Sequence, residues 1–139
     1  MRFMVLIKSN AQSEAGVLPS KEILTEMTKF NQELVKAGVM LAGEGLQPSS
    51  KGVRVTWTAP HKAVVKDGPF TEVKELIGGY WLWQVRSKEE AIEWIKRAPF
   101  GPGAEIEIRQ VSELADFGDN ATPEVREANA RMRAQIQGQ

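Results

Sequence analysis

Apolar residues follow two regular patterns along this chain, alternation with period two and helical stripes, and these patterns predict most of its elements. Residues 3–7 are apolar at every position. A strand of this kind is covered on both faces. We expect a second subunit to cover the face that one chain would leave open to water. A helix is predicted from Pro19-Ser20 to Gly38. Its stripe, spaced by four, three and four, is formed by Ile23, Met27, Phe30 and Leu34.

The remaining periodic segments complete one α+β pattern. Residues 39–46 form a second strand, which Gly43 and Gly45 interrupt. The other predicted elements are a hairpin over 53–66, a strand over 79–85, a helix from a capping box at Ser87 and Glu90 to about Arg97, and a strand over 104–109. The order is therefore β-α-β-β-β-β-α-β. Removal of the hairpin leaves βαββαβ, the split unit of a ferredoxin-like sheet.

Residues 113–139 form a tail behind the predicted domain, 1–112. The tail begins with an acidic linker in which Leu114 and Phe117 are expected to be apolar anchors. A helix is predicted over about 123–136, where a Thr-Pro pair supplies the cap and the first helical position. Its apolar stripe is narrow and such a helix is marginal alone, so we expect it to lie on this subunit or its partner.

Length, charge and cysteine content limit the possible functions. A chain of 139 residues fits one domain with a real core. Acidic and basic residues number 18 each, and this balance argues against nucleic-acid binding, which relies on a basic excess. The absence of cysteine excludes disulfides and thiolate chemistry. Because Lys8 follows the first strand closely and no apolar run approaches about 18 residues, we expect a cytoplasmic protein that does not enter a membrane.

A segment rich in charge and glycine, 66–80, lies between two apolar strands and contains the turn sequence Asp-Gly-Pro-Phe at 67–70. Asp bonds to nearby backbone, Gly accepts positive φ, and Pro fixes φ, so this sequence predicts a rigid corner. Asp67 is then expected at a strand end, and it is the first candidate for a general acid or base. Glu44 or His61 is the candidate for a second proton carrier.

Each of these candidates also has a purely structural interpretation. Glu44 lies between two glycines, which permit either the close approach of a ligand or a simple bulge with a solvated carboxylate. His61 is the only histidine and lies in a predicted turn, where it is ordinarily solvated, and one His without Cys does not anchor a transition-metal site. We therefore predict no metal. Asp67 itself could accept backbone N–H bonds while Phe70 fills the core.

A pocket is predicted around the corner. Its expected ligand-binding residues are Gly68, Phe70, Glu72, Lys74 and Tyr80, with Asp67 as the floor. The alternative is that 71–77, which is predicted to be a loop, is only a solvated charged face. No Gly-rich dinucleotide fingerprint is present, so no organic cofactor is expected. Residues 9–16 are small and polar and are also predicted to be a loop.

The run Asp-Gly-Pro-Phe-Thr-Glu-Val-Lys-Glu at 67–75, followed by Gly-Gly-Tyr at 78–80, resembles the DGPF branch of the YCII-related (YciI-like) proteins. The resemblance extends back to Gly-Glu-Gly-Leu at 43–46 and forward to the strand at 105–109. It implies a ferredoxin-like α+β fold paired into a dimeric α+β barrel. Some YCII relatives act as cofactor-free enzymes on small aromatics with a His and an Asp. His61 is not matched to the family's His position.

The resemblance and the residues together give two functional hypotheses. The first is a small-molecule-binding homodimer that acts as a cofactor-free enzyme of lyase, isomerase or hydrolase type, with Asp67 as general acid or base. The second is a non-catalytic metabolite-binding or regulatory dimer. Its implied partner is a sigma factor or a neighbouring enzyme, because some relatives are linked to extracytoplasmic-function sigma factors. Neither the ligand nor the reaction is specified by the sequence.

Overall fold

The structure is a computed structural model that describes residues 1–138. Its strands are β1 (Arg2–Lys8), β2 (Met40–Gly45), β3 (Val53–Ala59), β4 (Lys62–Asp67), β5 (Ile77–Gln84) and β6 (Ile106–Gln110). Its α-helices are α1 (Ala11–Glu14), α2 (Lys21–Lys36), α3 (Lys88–Ile95) and α4 (Pro123–Gln137). Short 3-10 helices occur at Ser49–Lys51, Val73–Glu75 and Leu114–Asn120.

Four strands form one antiparallel sheet in the order β2-β5-β1-β6. The strands β3 and β4 pair only with each other and form a separate hairpin. Without this hairpin, the short helix α1 and the C-terminal helix α4, the element order is βαββαβ, and the sheet order is that of a ferredoxin-like unit. The predicted α+β fold with an inserted hairpin is therefore confirmed.

One face of the sheet carries the hydrophobic core. Phe3 and Val5 of β1 and Trp81 and Trp83 of β5 are buried on this face, against α2 and α3. Phe30 of α2 meets the two indole rings edge-on, with centroid distances of 5.8 and 6.4 Å. Aromatic rings of this size bury large areas and hold helix and sheet together. The two tryptophans of β5 therefore share the core face, and Tyr80 and Leu82 lie on the other face.

The other face of the sheet is apolar at its centre and less buried. In the register of β1 with β5, Met4 lies opposite Leu82 and Leu6 lies opposite Tyr80. All four side chains are half-buried. The prediction that β1 is apolar towards both faces is confirmed, whereas only its core face is fully buried within one chain.

Two expectations about the helices are wrong in detail. The predicted loop 9–16 contains α1, which begins because the side chain of Asn10 accepts a hydrogen bond of 2.8 Å from the backbone of Ser13. At α3, Ser87 caps as predicted, but the Glu90 carboxylate accepts from the backbone of Arg86 instead of Ser87. Arg86 also brings its guanidinium to the same oxygen, and this charge favours that partner.

The tail projects from the domain. Its helix α4 starts at Thr122, which caps it with Pro123 at the first position, as predicted. No residue of α4 is buried. Phe117 is 56% exposed, so the expectation that it anchors the linker is wrong for one chain. The guanidinium of Arg126 instead secures the junction by donating to the carbonyl of Ala121.

Candidate functional site

The corner at 67–70 is built tightly against residues 49–52. The Gly68–Pro69 peptide bond is cis. The backbone of Gly68 donates a hydrogen bond of 3.0 Å to the carbonyl of Gly52. A Cβ atom on Gly68 would lie 2.7 Å from the carbonyl carbon of Ser49 and closer still to its oxygen. Glycine is therefore required here by the close approach of two backbone segments, which is one of its usual roles.

Ser49 is the centre of the hydrogen bonds that hold this corner. Its hydroxyl accepts from the backbone of Phe70 at 3.0 Å and donates to the carboxylate of Glu14. Its own backbone N–H donates to the same carboxylate at 3.0 Å. Arg54 of β3 places its guanidinium 3.8 Å from the ring centre of Phe70. The corner is thus fastened to α1 and β3, and Phe70 is half-buried at its edge instead of filling the core.

The clamp between Glu14 and Ser49 predicts a dependence of stability on pH. The Ser49 hydroxyl and then its N–H hold the pKa of Glu14 below the ordinary value of 4.5. A carboxyl group whose pKa is lower in the folded state stabilises the fold above its unfolded pKa, and this contribution is lost as pH falls through the folded pKa. The thermal midpoint of the wild type should therefore exceed that of Glu14→Gln at pH 7, and the gap should close below about pH 4.5. Ser49→Ala removes the hydroxyl and keeps the backbone N–H, so in that background the gap should vary less with pH than in the wild type. A gap that does not vary with pH in the wild-type background would contradict the clamp.

Asp67, the first catalytic candidate, is exposed at the end of β4. Among residues 1–138 its carboxylate takes part in no hydrogen bond or ion pair shorter than 4 Å. The interpretation in which Asp67 accepts backbone N–H groups is therefore wrong. The N–H groups of Gly68 and Phe70 donate instead to the Gly52 carbonyl and the Ser49 hydroxyl. Within one chain Asp67 also does not form the floor of a pocket.

The other two catalytic candidates lie on other parts of the fold from the corner. His61 is exposed at the tip of the hairpin with φ of 60°, a turn conformation. It is six residues from Asp67 along β4, which corresponds to about 20 Å at a rise of about 3.3 Å per residue. Glu44 is exposed on β2, on the other sheet, where it pairs with Tyr80. Within residues 1–138, no hydrogen bond or ion pair joins any two of these three residues.

Of the two glycines that flank Glu44, Gly43 has a packing function. A Cβ on Gly43 would lie 2.6 Å from the ring of Trp81 and 2.8 Å from the methyl of Met40. Gly43 thus leaves room for the core indole, while Gly45 has open space around it. The irregularity in β2 falls earlier, between Met40 and Ala42. Packing against Trp81 therefore explains Gly43 without a ligand. Tyr80, which pairs with Glu44, is half-buried on the sheet face opposite the core.

A cavity of about 630 Å³ lies where β1 ends, between α2 and the loop after α3. Its apolar wall includes Ile7, Ile23, Met27 and Phe100. The ring of Phe100 meets Trp81 edge-on at 6.2 Å, so the core fixes its orientation. The cavity is thus supported on one side by residues that cannot move without disturbing the core.

Polar groups also line this cavity. They are Lys8, Ser9, Asn10, Gln12, Lys74 and Glu105. Of the ligand-binding residues predicted from the sequence, only Lys74 is among them. Gly68, Phe70, Glu72 and Tyr80 belong to the corner, the loop behind it and the other face of the sheet.

The short helix α1 connects the cavity with the corner. Gln12 lines the cavity, and Glu14, half a turn further on, holds Ser49. The backbone of Ser9 donates a hydrogen bond of 2.8 Å to the carbonyl of Leu76, at the end of the segment that contains Lys74. Sequence reasoning missed this arrangement. The Asn10 to Ser13 capping box was the available signal for α1.

The described residues also bear on two other properties, metal binding and membrane insertion. Within residues 1–138, no three His, Cys, Asp or Glu side chains come together as a group that could hold a metal ion. None of the helices in the described part of the chain is long and apolar enough to cross a membrane.

The fold and the cavity define a ferredoxin-like α+β protein with an inserted hairpin. The family model of the YCII-related domain matches residues 1–115, and the chain belongs to this family. No curated protein matches the chain. Among solved structures it is similar to 5-chloro-2-hydroxyhydroquinone dehydrochlorinase (TftG) from Burkholderia phenoliruptrix AC1100, in complex with 2,5-dihydroxybenzoquinone. The identity is 14% over 81% of this chain and 96% of that chain, with a TM-score of 0.41.

Proposed function

We propose that this protein binds a small organic molecule in the cavity at the end of β1. The observation that carries the proposal is the cavity itself, whose volume of about 630 Å³ falls in the range of ligand pockets, roughly 300–1,000 Å³. Such pockets combine apolar walls with a few polar groups that orient the ligand. The ligand is expected to have an apolar body and at least one polar or anionic group.

The side chains of the cavity support this ligand chemistry. Ile23 belongs to the apolar stripe of α2, yet it is 42% exposed because it faces the cavity. Lys74 and Gln12 make no side-chain hydrogen bond or ion pair with other residues of the 1–138 segment. Their donors are therefore available to a ligand, and an ammonium group favours an anionic partner. Lys8, by contrast, is already paired with Glu107 at 3.5 Å.

Filling the cavity provides the test. Gly101 lines it and has open space around its Cα, without positive φ, so Gly101→Leu is expected to fold normally and occupy the space for the ligand. Hits from a metabolite screen by thermal shift should bind the wild type and lose at least about tenfold in affinity with Gly101→Leu, measured by calorimetry. Gly45→Leu is the matched control, since Gly45 also has open space and lies outside the cavity. Equal affinity of the wild type and Gly101→Leu for every hit would refute the cavity as the site.

Catalysis is the second candidate function. In this proposal the protein is a cofactor-free enzyme of lyase, isomerase or hydrolase type, with Asp67 as general acid or base and Glu44 or His61 as second proton carrier. The observation that favours it is the unengaged carboxylate of Asp67, which no structural contact in residues 1–138 explains. Because the three residues are separate in one chain, their site would need a second copy. Lost turnover of a screened ligand with an unchanged melting temperature in Asp67→Asn would support it.

Both candidate functions, ligand binding and catalysis, include the prediction that the chain forms a homodimer. The half-buried apolar face of the sheet, with Leu6 and Leu82 at its centre, supports pairing of two copies face to face. A regulatory dimer that reports its ligand to a sigma factor or a neighbouring enzyme stays a family-based alternative. Binding of the ligand without turnover, together with ligand-dependent association with such a protein, would distinguish that alternative from an enzyme.

A further inference from the structure

The hairpin formed by β3 and β4 projects from the domain. Every residue of both strands is exposed. The strands pair with each other and with no strand of the four-stranded sheet. An isolated two-stranded hairpin is marginally stable at best in water. Some further contact must therefore stabilise it.

One face of the hairpin is almost entirely apolar. The cross-strand pairs on this face are Val53 with Asp67, Val55 with Val65 and Trp57 with Ala63. The exposed fractions of the four large apolar side chains are 57%, 45%, 62% and 68% for Val53, Val55, Val65 and Trp57. The opposite face carries Arg54, Thr56 and Lys66, and its one large apolar side chain is that of Val64, opposite Thr56. A contiguous exposed apolar surface with a more polar reverse side is typical of an interaction site.

The accessible surface of the whole chain indicates how much area is left for such an interaction. It measures 10469 Å². A compact monomer of 15.4 kDa is expected to expose about 7,200 Å². The excess of roughly 3,300 Å² is more than the roughly 1,000–2,500 Å² that each chain contributes to an obligate homodimer. The chain therefore has the shape of a subunit with projecting arms.

We propose that the apolar face of the hairpin, which consists of Val53, Val55, Trp57, Ala63 and Val65, packs on a second copy of this chain. The excess area, to which the unburied helix α4 also contributes, is large enough for a permanent assembly of two copies. A formal net charge of zero presents no overall electrostatic barrier to self-association. In a two-fold pair each hairpin covers the other copy, so that both are stabilised at once.

The proposal goes beyond ligand binding in the cavity and does not depend on it. It has one consequence for the candidate acid. Asp67 is on the same face as Val53 and at the end of the hairpin nearest the corner. Docking of this face would therefore bring Asp67 from solvent to the boundary between two subunits.

Single charges on the two faces of the hairpin test the proposal. Val55→Lys places an ammonium on the apolar face, and Thr56→Lys places the same group on the polar face of the same strand. By light scattering and sedimentation at matched concentrations, the wild type and Thr56→Lys should have twice the mass of 15.4 kDa. Val55→Lys should dissociate at a concentration at least about tenfold higher. Near-ultraviolet circular dichroism of the core tryptophans checks folding, and Val65→Lys is the second variant if Val55→Lys does not fold.

Hydrogen exchange of the wild type distinguishes this interface from the sheet-face dimer. Amides of residues 53–67 should be protected at concentrations where the dimer forms and lose protection on dilution. A dimer whose hairpin amides exchange as fast as in a monomer would overturn the proposal, even though the protein dimerises. Identical dissociation curves for Val55→Lys and Thr56→Lys would do the same. So would a monomeric wild type whose hairpin becomes protected only when a different protein is added.

Discussion

Gly68→Ala is expected to lower the free energy of unfolding by about 3 kcal/mol, at the upper end of the usual cost of overpacking. The added methyl would overlap the carbonyl group of Ser49, which is backbone and cannot rotate away. Relief requires separation of the two segments, and this breaks the hydrogen bond from Gly68 to Gly52 and the one from Phe70 to Ser49. The corner would then lose its connection to Glu14.

Gly52→Ala is the matched control, because it adds the same methyl beside the same carbonyl group. A Cβ on Gly52 would lie 3.6 Å from the Ser49 oxygen, an ordinary contact. Urea unfolding should therefore show a change of less than about 1 kcal/mol for Gly52→Ala. If Gly68→Ala were as stable as Gly52→Ala, the close packing of the corner against Ser49 would be refuted.

Trp83→Ala is expected to destabilise the fold by about 3–5 kcal/mol, the usual range for loss of a large buried aromatic side chain. Trp83 has no exposed surface and contacts Phe30 and Trp81 at the centre of the core. Its indole N–H is buried without a hydrogen-bond partner in the described residues. The loss is therefore one of packing, and no hydrogen bond contributes to it.

The neighbouring residue provides the control for this second variant. Gln84 is exposed on the same strand, so Gln84→Ala should change the unfolding free energy by no more than about 0.5 kcal/mol. Denaturant unfolding followed by circular dichroism measures both. A loss below about 1 kcal/mol for Trp83→Ala would show that β5 is not the central strand of the core.

Most of the fold could be predicted from local patterns. The alternation in β5 gave the buried face of Trp81 and Trp83, and the stripe of α2 gave Phe30 and Leu34. These patterns are reliable because the spacing of apolar residues determines which side chains are buried, and each element repeats that spacing several times. Gly38 ends α2 with φ of 74°, the left-handed conformation for which glycine is suited.

The site could be predicted only in part, for physical reasons. Turn chemistry predicts a corner at Asp67, but the direction of its side chain depends on the pairing register of the hairpin, which brings Asp67 opposite Val53. The segment that became α1 has no large apolar residue that would reveal a helix, and its start is marked only by Asn10 and Ser13. The cavity joins β1, α2 and the loop after α3, and no local pattern shows that these distant segments enclose a space.

The corner sequence and the cavity are structurally connected despite their separation. Ser49 and Glu14 link Phe70 to α1, and α1 supplies Gln12 to the cavity. The segment that follows the corner supplies Lys74. The conformation of the corner is therefore linked to two polar residues that line the cavity. Under the proposed function, the corner would influence binding without any contact of its own with the ligand.

A crystallographic screen with small fragments tests the proposed binding site most directly. We predict that bound fragments lie between Ile23 and Phe100, with a polar or anionic group directed towards Lys74. Fragments that gather around Asp67 or Tyr80 and leave this cavity empty would contradict the proposal.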